Sequence, residues 1–284
     1  MKPILILGSK GMLGSAITDL FNRSSNFEVH EINRTSIFDG MHFDASSKSS
    51  RRFIQDVRPE WIINCIGVIK PYINDQDPVS QSNAYLVNSE FPSTLNQIAK
   101  EIDAYVIQIA TDCVYSGVKG NYSEGDAHDP VDAYGKSKRL GEIDSEHFMN
   151  LRCSIVGRDQ RNNNSLLEWF LSQEHSAKVT GYLDHLWNGI TTNAFARICR
   201  GIIEDDLFAA GTFHQVPADR VSKAELLEMF RDKFNRPDLM IEKKLTGDDI
   251  DRTLMTVKPE ENLQRWLSAG YSDVPTIKAL IEEL

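Results

Sequence analysis

The chain lacks most of what would commit it to a metal, a membrane or a nucleic acid. Its 284 residues hold four cysteines, Cys65, Cys113, Cys153 and Cys199, with no Cys-x-x-Cys pair and no zinc spacing. They read as free thiols of a reducing compartment. His30, His42, His128, His147 and His214 form no ligand spacing either, so no metal is expected. Excess positive charge is missing: 31 Lys and Arg stand against 41 Asp and Glu, a formal net charge of -10. That argues against binding nucleic acid or an anionic membrane through a global field, and any anionic ligand has to meet local cations. Long apolar runs are also missing. The longest, residues 61–69, is interrupted by Asn64 and is far too short to span a bilayer. Repeats and low-complexity tracts are absent. Met1-Lys2-Pro3-Ile4 leads straight into a strand, which leaves no room for a signal peptide, so a cytoplasmic protein is expected.

What is present is alternation. Residues 4–7 (Ile-Leu-Ile-Leu) form a short continuous apolar run ending in glycine, the pattern of a strand buried on both faces. Helical spacing follows over 11–21, then strands at 28–32 and 42–44, a helix at 46–57 and a strand at 61–66. A helix over 83–102, a strand at 105–109, a helix after Pro130 and a strand at 151–156 complete the series. The fold class is therefore α/β, a Rossmann-type doubly wound parallel sheet with right-handed crossovers. After Gly157 the alternation weakens. Residues 158–165 are polar and turn-like, with three consecutive asparagines. Helices are expected at 165–172 and 191–203, a strand at 212–216, and an amphipathic helix at 222–234 opened by a Ser222/Glu225 capping box. The last forty residues look mostly helical. The expected organisation is a nucleotide-binding domain of 1–157 plus about 191–214, and a smaller C-terminal substrate-binding lobe of about 158–190 plus 215–284.

Gly8-Ser9-Lys10-Gly11-Met12-Leu13-Gly14 lies between the first strand and the first helix. The first glycine allows the tight turn, the second lets a pyrophosphate approach the backbone, and the third lets helix pack on strand. The helix N-terminus offers N–H groups and partial positive charge to phosphates. In this position the loop points to a dinucleotide. The second strand ends at Asn33-Arg34, where an acid would favour NAD. Arg34 and Lys10 instead suit a 2′-phosphate, so NADPH is favoured and NADH is the second choice. Asp44 is a candidate for the adenine amino group. Cys65, Ile66 and Gly67, at the end of the strand over 61–66, are assigned to the same cofactor site.

Tyr134 and Lys138 lie four apart, on one face of a helix. An ammonium beside a phenol lowers its pKa and lets it exchange a proton near neutral pH. With the glycine loop, this pair resembles the short-chain dehydrogenase/reductase superfamily. Length, loop spacing and the extra lobe resemble its extended branch, which acts mostly on nucleotide sugars. Within it, the chain is similar to the dTDP-4-dehydrorhamnose reductase family of nucleotide-sugar 4-keto reductases. The matching residues are Thr111-Asp112-x-Val114-Tyr115-x-Gly117, Tyr122-Ser123-Glu124, Pro130, and Tyr134-Gly135-Lys136-Ser137-Lys138-x-x-Gly141-Glu142. Leu151-Arg152 and Trp187-Asn188-Gly189-Ile190-Thr191-Thr192 extend the match.

The resemblance implies roles. Tyr134 protonates the carbonyl oxygen as hydride arrives from the nicotinamide. Lys138 tunes Tyr134 and holds the ribose, and Thr111 hydrogen-bonds the substrate oxygen. Asp112 either caps its loop or binds a sugar hydroxyl. Trp187 either stacks on a base or sugar or packs between the lobes, and the Asn188 amide is a candidate reader of base or sugar. Two departures stand out. Cys113 occupies the position where dehydratases of the branch carry an acid, which disfavours dehydration. Ile155-Val156-Gly157 stands where rhamnose-pathway reductases have tryptophan and aromatics, so Ile155 is a candidate substrate contact that puts the rhamnose sugar itself in question. Cys113 also opens an alternative of the GDP-fucose synthase type, an epimerase-reductase pairing a thiolate with His175 or His185; the plainer reading is a small buried thiol. A non-catalytic NADP-binding regulatory module is the other alternative. The expected partner is a nucleotide-sugar substrate, with a homodimer compatible through helices at 83–102 and 134–147.

Overall fold

The computed structural model describes residues 1–38, 41–47, 50–159 and 165–284. The asparagine run expected as a turn, at 162–164, lies outside the described residues. Six strands make the central sheet: β1 (Lys2–Leu7), β2 (Phe27–Ile32), β3 (Trp61–Asn64), β4 (Tyr105–Ala110), β5 (Phe148–Arg152) and β6 (Gly211–His214). Their order is β6-β5-β4-β3-β1-β2, and every pairing is parallel. Strand period two divides the apolar residues between two cores. Ile4, Ile6, Trp61, Ile63, Ile107, Met149 and Leu151 enter one, while Leu5, Leu7, Ile62, Val106 and Phe148 enter the other. Helices α1 (Met12–Phe21) and α7 (Thr192–Glu204) cover the first face; α2 (Ser50–Val57) and α4 (Phe91–Ile102) cover the second. The chain moves outward from β1 in both directions, so the ends of β1 and β3 flank a topological switch point, where ligands of such sheets bind.

Three local expectations change. The strand expected at 42–44 is one arm of a small antiparallel pair, Ile37–Phe38 with Met41–His42, outside the central sheet. The run at 151–156 is not one strand. β5 stops at Arg152, and Ile155–Val156 pairs in parallel with Ile190–Thr191. Ser154 sets the break, because its carbonyl accepts from Ile190 N at 2.8 Å and its hydroxyl accepts from Trp187 Nε1 at 2.8 Å. The helix expected from 83 begins earlier, as α3 (Pro78–Tyr85), capped by Asp77 and followed by a π-helical turn, Leu86–Glu90, that leads into α4.

The remaining chain builds short sheets around a third core. Met240–Lys244 pairs with Lys178–Tyr182, and His185–Trp187 lies between Val221–Ser222 and Ile250–Asp251. Helices α6 (Leu166–Leu171), α8 (Lys223–Lys233) and α10 (Ile277–Glu282) pack there, and α9 (Pro259–Ser268) places Trp266 in the sheet-side core. The expected capping box is present: Glu225 N donates to Ser222 Oγ, and Ser222 N donates to Glu225 Oε2 at 2.7 Å. The four short strands at 178–187 and 240–251 carry few consecutive apolar residues, and the last forty residues include one of them. Among the described residues no helix is long and apolar enough to cross a membrane.

Candidate active site

The glycine loop leaves β1 at the switch point. Gly8 has φ +80°, a conformation glycine tolerates, and a Cβ there would stand 3.1 Å from the Cys65 carbonyl carbon. A Cβ on Gly14 would fall 2.1 Å from the Gly8 carbonyl oxygen, so α1 can lie on the loop only without a side chain there. At Gly11 a Cβ would meet nothing closer than 3.4 Å. The protein's own packing therefore does not need glycine at 11, but a group lying against that backbone would. Gly11 is also the N-cap of α1 and offers no side-chain cap, which leaves first-turn N–H groups for a ligand. A pyrophosphate fits this cradle.

Around the loop, Ser9 is buried and its hydroxyl accepts from Asn33 Nδ2; Leu13 and Gly14 face inward, whereas Lys10 and Gly11 are exposed and Met12 is half-buried. Lys10 Nζ donates to Thr35 Oγ1 at 3.0 Å, which brings the Lys10 cation to the exposed turn that carries Arg34. Asp44 is exposed, and one of its oxygens accepts from the Ser46 amide and hydroxyl. Cys65 N bonds the Leu7 carbonyl, and burial pushes the Cys65 thiol up to about 12. Ile66 N bonds Asn64 Oδ1, and Gly67 lies against the Asn88 side chain.

Thr111, at the end of β4, caps a 3₁₀ turn over Asp112–Val114. Its hydroxyl donates to Asp112 Oδ1 at 3.1 Å and accepts from Cys113 N at 3.2 Å. Helix α5 (Ala133–Leu140) starts on an Asp132 cap, with a second acid, Asp75, accepting from Ala133 N at 2.9 Å. Both carboxylates suit a helix N-terminus. A Cβ on Gly135 would fall 2.1 Å from the Cys113 carbonyl oxygen, so α5 is pressed onto the 3₁₀ turn. This brings Tyr134 to Thr111, whose hydroxyl is the main group favouring the tyrosinate, against burial and Cys113, which push the Tyr134 phenol well above its usual range. Lys138 is buried, and its ammonium donates to the Ile109 carbonyl at 2.8 Å. Desolvation lowers Lys138 to about 8, with Glu142 and Cys65 pulling the other way. Lys138 is not among the leading influences on Tyr134; it is tied instead to the β4 end and faces Cys65 at the cofactor loop's neighbour strand.

Other assigned residues are engaged with protein. Trp187 is buried, its Nε1 on Ser154 and the Lys223 ammonium 5.4 Å from its ring centroid. Asn188 uses both amide atoms on the Leu254 backbone, at 2.6 and 2.9 Å. Ile155 is half-buried in its strand pair. Burial, then Asp112, pushes the Cys113 thiol up to about 12. His175 bonds Ser176 and His185 bonds Thr246, so both candidate partners for a Cys113 thiolate bond elsewhere.

Three residues escaped the sequence reading. Asn88, buried in the π turn, donates to the Val68 carbonyl and to Ser137 Oγ and accepts from Val68 N. Lys223, the first residue of α8, is the charge that most lowers the Asp112 carboxyl, which burial raises overall; Arg252 comes second. Only the fold carries these two cations from the C-terminal part to the Thr111 turn, so no sequence spacing reveals them.

A family model described as RmlD substrate binding domain matches residues 1–251. The beta subunit of methionine adenosyltransferase 2 from Bos taurus is 24% identical, over 82% of this chain and 72% of that one. A dTDP-4-dehydrorhamnose reductase from Aggregatibacter actinomycetemcomitans is 31% identical, over 50% of this chain and 46% of that one. Among solved structures, dTDP-4-dehydrorhamnose reductase from Bacillus anthracis in complex with NADP superposes with a TM-score of 0.79, at 18% identity, covering 100% of this chain and 98% of that one.

Proposed function

Because the chain belongs to the RmlD substrate binding domain family, we propose that it is an NAD(P)-dependent reductase of a nucleotide-linked 4-keto-6-deoxy sugar, of the dTDP-4-dehydrorhamnose reductase type. The single observation that supports this reading is the contact of Tyr134 with Thr111 at the end of β4, with the Lys138 ammonium anchored on the Ile109 carbonyl of the same strand. Residues 8–14, with Cys65, Ile66 and Gly67, would hold the dinucleotide, and Lys10 with Arg34 favour its 2′-phosphorylated form. When bound, the cofactor supplies the hydride. Tyr134 gives its proton to the carbonyl oxygen. A phenol held high by burial is a proton donor at neutral pH, which suits the reducing direction. Thr111 orients the phenol and the substrate oxygen together. Lys138, anchored on Ile109, places a cation near the nicotinamide ribose position.

The substrate-facing lobe is assigned to about 158–190 plus 215–284. Precursor synthesis for cell-surface polysaccharide in the cytoplasm, and pairing of two copies through 83–102 and 134–147, belong to the same proposal, although the second stretch is helical only over Ala133–Leu140. Val131 and Leu140 stand exposed at α5, as such pairing requires. The relatives named as a subunit of another enzyme favour a second reading, a binding module without turnover. A module of that kind has no use for Thr111, Tyr134 and Lys138 together.

The test is Tyr134→Phe. Turnover of dTDP-, UDP- or GDP-linked 4-keto sugars with NADPH should fall at least about 10³-fold, with cofactor affinity nearly unchanged. A fully active Tyr134→Phe enzyme would sink the assignment. No NADPH oxidation by the unmodified protein with any keto sugar, alongside tight binding to a protein partner, would favour the module.

A further inference from the structure

Helix α5 carries Tyr134 and Lys138, yet little that is apolar holds it. It is eight residues long, and the side it buries is Ala133, Gly135, Ser137 and Lys138. Leu140, its one large aliphatic residue, stands exposed. A helix this short is unstable alone, and here no hydrophobic stripe fixes it in place. Polar ties and close backbone contacts set its position instead. Toward the C-terminal end, Asn88 and Ser89 bond Ser137, and Glu142 pairs with Arg152. At the N-terminal end the ties come from the loop after β3. Asp75 Oδ1 accepts from Ala133 N at 2.9 Å, one residue ahead of Tyr134, and Lys70 Nζ pairs with Asp132 Oδ2 at 2.7 Å. Asp132 caps α5 through Gly135 N at 2.8 Å, but it belongs to the same segment and moves with it. Lys70 is well exposed, and an exposed ion pair holds little. The press of Gly135 on the Cys113 carbonyl stops α5 moving inward but not lifting away. Among the described residues, that leaves Asp75 as the anchor of this end. Its loop is itself tied down. Gln81 Nε2 donates to the Asp75 carbonyl at 2.7 Å, Asn74 N donates to Ser80 Oγ at 2.9 Å, and Asn88 clamps Val68 where the loop begins.

We propose that Asp75 is a positioning residue for Tyr134, holding the first turn of α5 so that the phenol stays against Thr111. It acts through the Ala133 amide. The inference rests on the reductase reading, in which Tyr134 gives its proton to the carbonyl oxygen. A carboxylate suits a helix N-terminus twice over, through a charge-assisted hydrogen bond and through the helix dipole. Losing it frees the turn ahead of Tyr134, and a proton donor displaced by about 1 Å can lower a rate about 10²-fold. The loop continues from residues 65–67, proposed above to hold the dinucleotide. One stretch of chain thereby sets both the hydride donor and the proton donor.

The experiment follows single-turnover oxidation of NADPH, with the dTDP-, UDP- or GDP-linked 4-keto-6-deoxy sugar that the unmodified enzyme reduces fastest. Asp75→Ala should slow it about 5- to 30-fold, while the Kd for NADPH changes less than about 2-fold. Asp75→Asn keeps an oxygen on the Ala133 amide and should come within about 3-fold of the unmodified rate. Asp75 is exposed, so the thermal midpoint of Asp75→Ala should fall by no more than about 4 °C. The deciding measurement is a double-mutant cycle with Tyr134→Phe. Because Asp75 acts through the phenol, adding Asp75→Ala to Tyr134→Phe should change the residual rate less than about 2-fold. A tie that merely keeps the site folded would cost the same factor in both backgrounds. Equal loss in both backgrounds, no loss in either, or an Asp75→Asn enzyme as slow as Asp75→Ala overturns the proposal and leaves the reductase reading standing. Asp75→Glu lengthens the tie by a methylene and enters the same cycle should Asp75→Ala fail to fold. No turnover of any 4-keto sugar by the unmodified enzyme overturns both.

Discussion

Gly14 and Gly11 share a motif but answer to different demands. Gly14 is required by the fold, since a methyl group there would overlap the Gly8 carbonyl. Gly14→Ala should destabilise the protein by about 1–3 kcal/mol, read from denaturant unfolding, and should weaken NADPH binding as the loop shifts. Gly11 is required only by what lies against it. The same division applies to the catalytic residues. Tyr134 and Lys138 were legible as a pair because a helix repeats every 3.6 residues. What each does was less legible: burial, not the neighbouring ammonium, dominates the Tyr134 phenol, and the Ile109 carbonyl takes the Lys138 head.

At the scale of elements, the π turn is the piece that joins the two halves of the site. Asn88 clamps the Val68 peptide after β3 and reaches Ser137 in α5, and Ser89 Oγ donates to the Ser137 carbonyl. A Cβ on Gly141 would fall 1.9 Å from the Asn88 carbonyl oxygen, so α5 ends hard against the same turn. Asn88→Ala leaves the Val68 N–H and C=O without partners. It should cost about 2–4 kcal/mol of stability by chemical denaturation, and should lower kcat more than it raises KM for NADPH. Nothing in the sequence announces a π turn, because one extra residue in a helix leaves no compositional trace. The parallel sheet was legible for the opposite reason: Ile4–Leu7, 61–63 and 106–107 are apolar on both faces. The short strands at 178–187 and 240–251 were not, since Lys178, Met240 and Lys244 face solvent and the strands draw their stability from partners far along the chain.

At the scale of the molecule, a buried polar hub joins the sheet to the C-terminal part. Arg152 pairs with Glu142 through two hydrogen bonds, and also bonds Tyr115, His128 and His214. His214 donates from Nδ1 to the Met255 carbonyl and turns its other nitrogen to Arg152, so it is neutral. Burial, then Arg152, lowers it from 6.5 to about 4. Between those values the unfolded chain binds a proton that the folded chain refuses, so stability falls as pH drops from 6.5 to 4. The unfolding midpoint should follow that slope, and His214→Gln should flatten it. The strand break after Arg152 has its own consequence. Ile155–Val156 and Ile190–Thr191 hold the two ends of the intervening stretch side by side, and β6, which comes later, is hydrogen-bonded along β5. A backbone cut at the exposed turn over 174–176 would therefore sever the polymer without dividing the particle: the piece carrying the cofactor loop and the piece carrying Lys223 would stay assembled by strand pairing, the Arg152–His214 contact and a shared core.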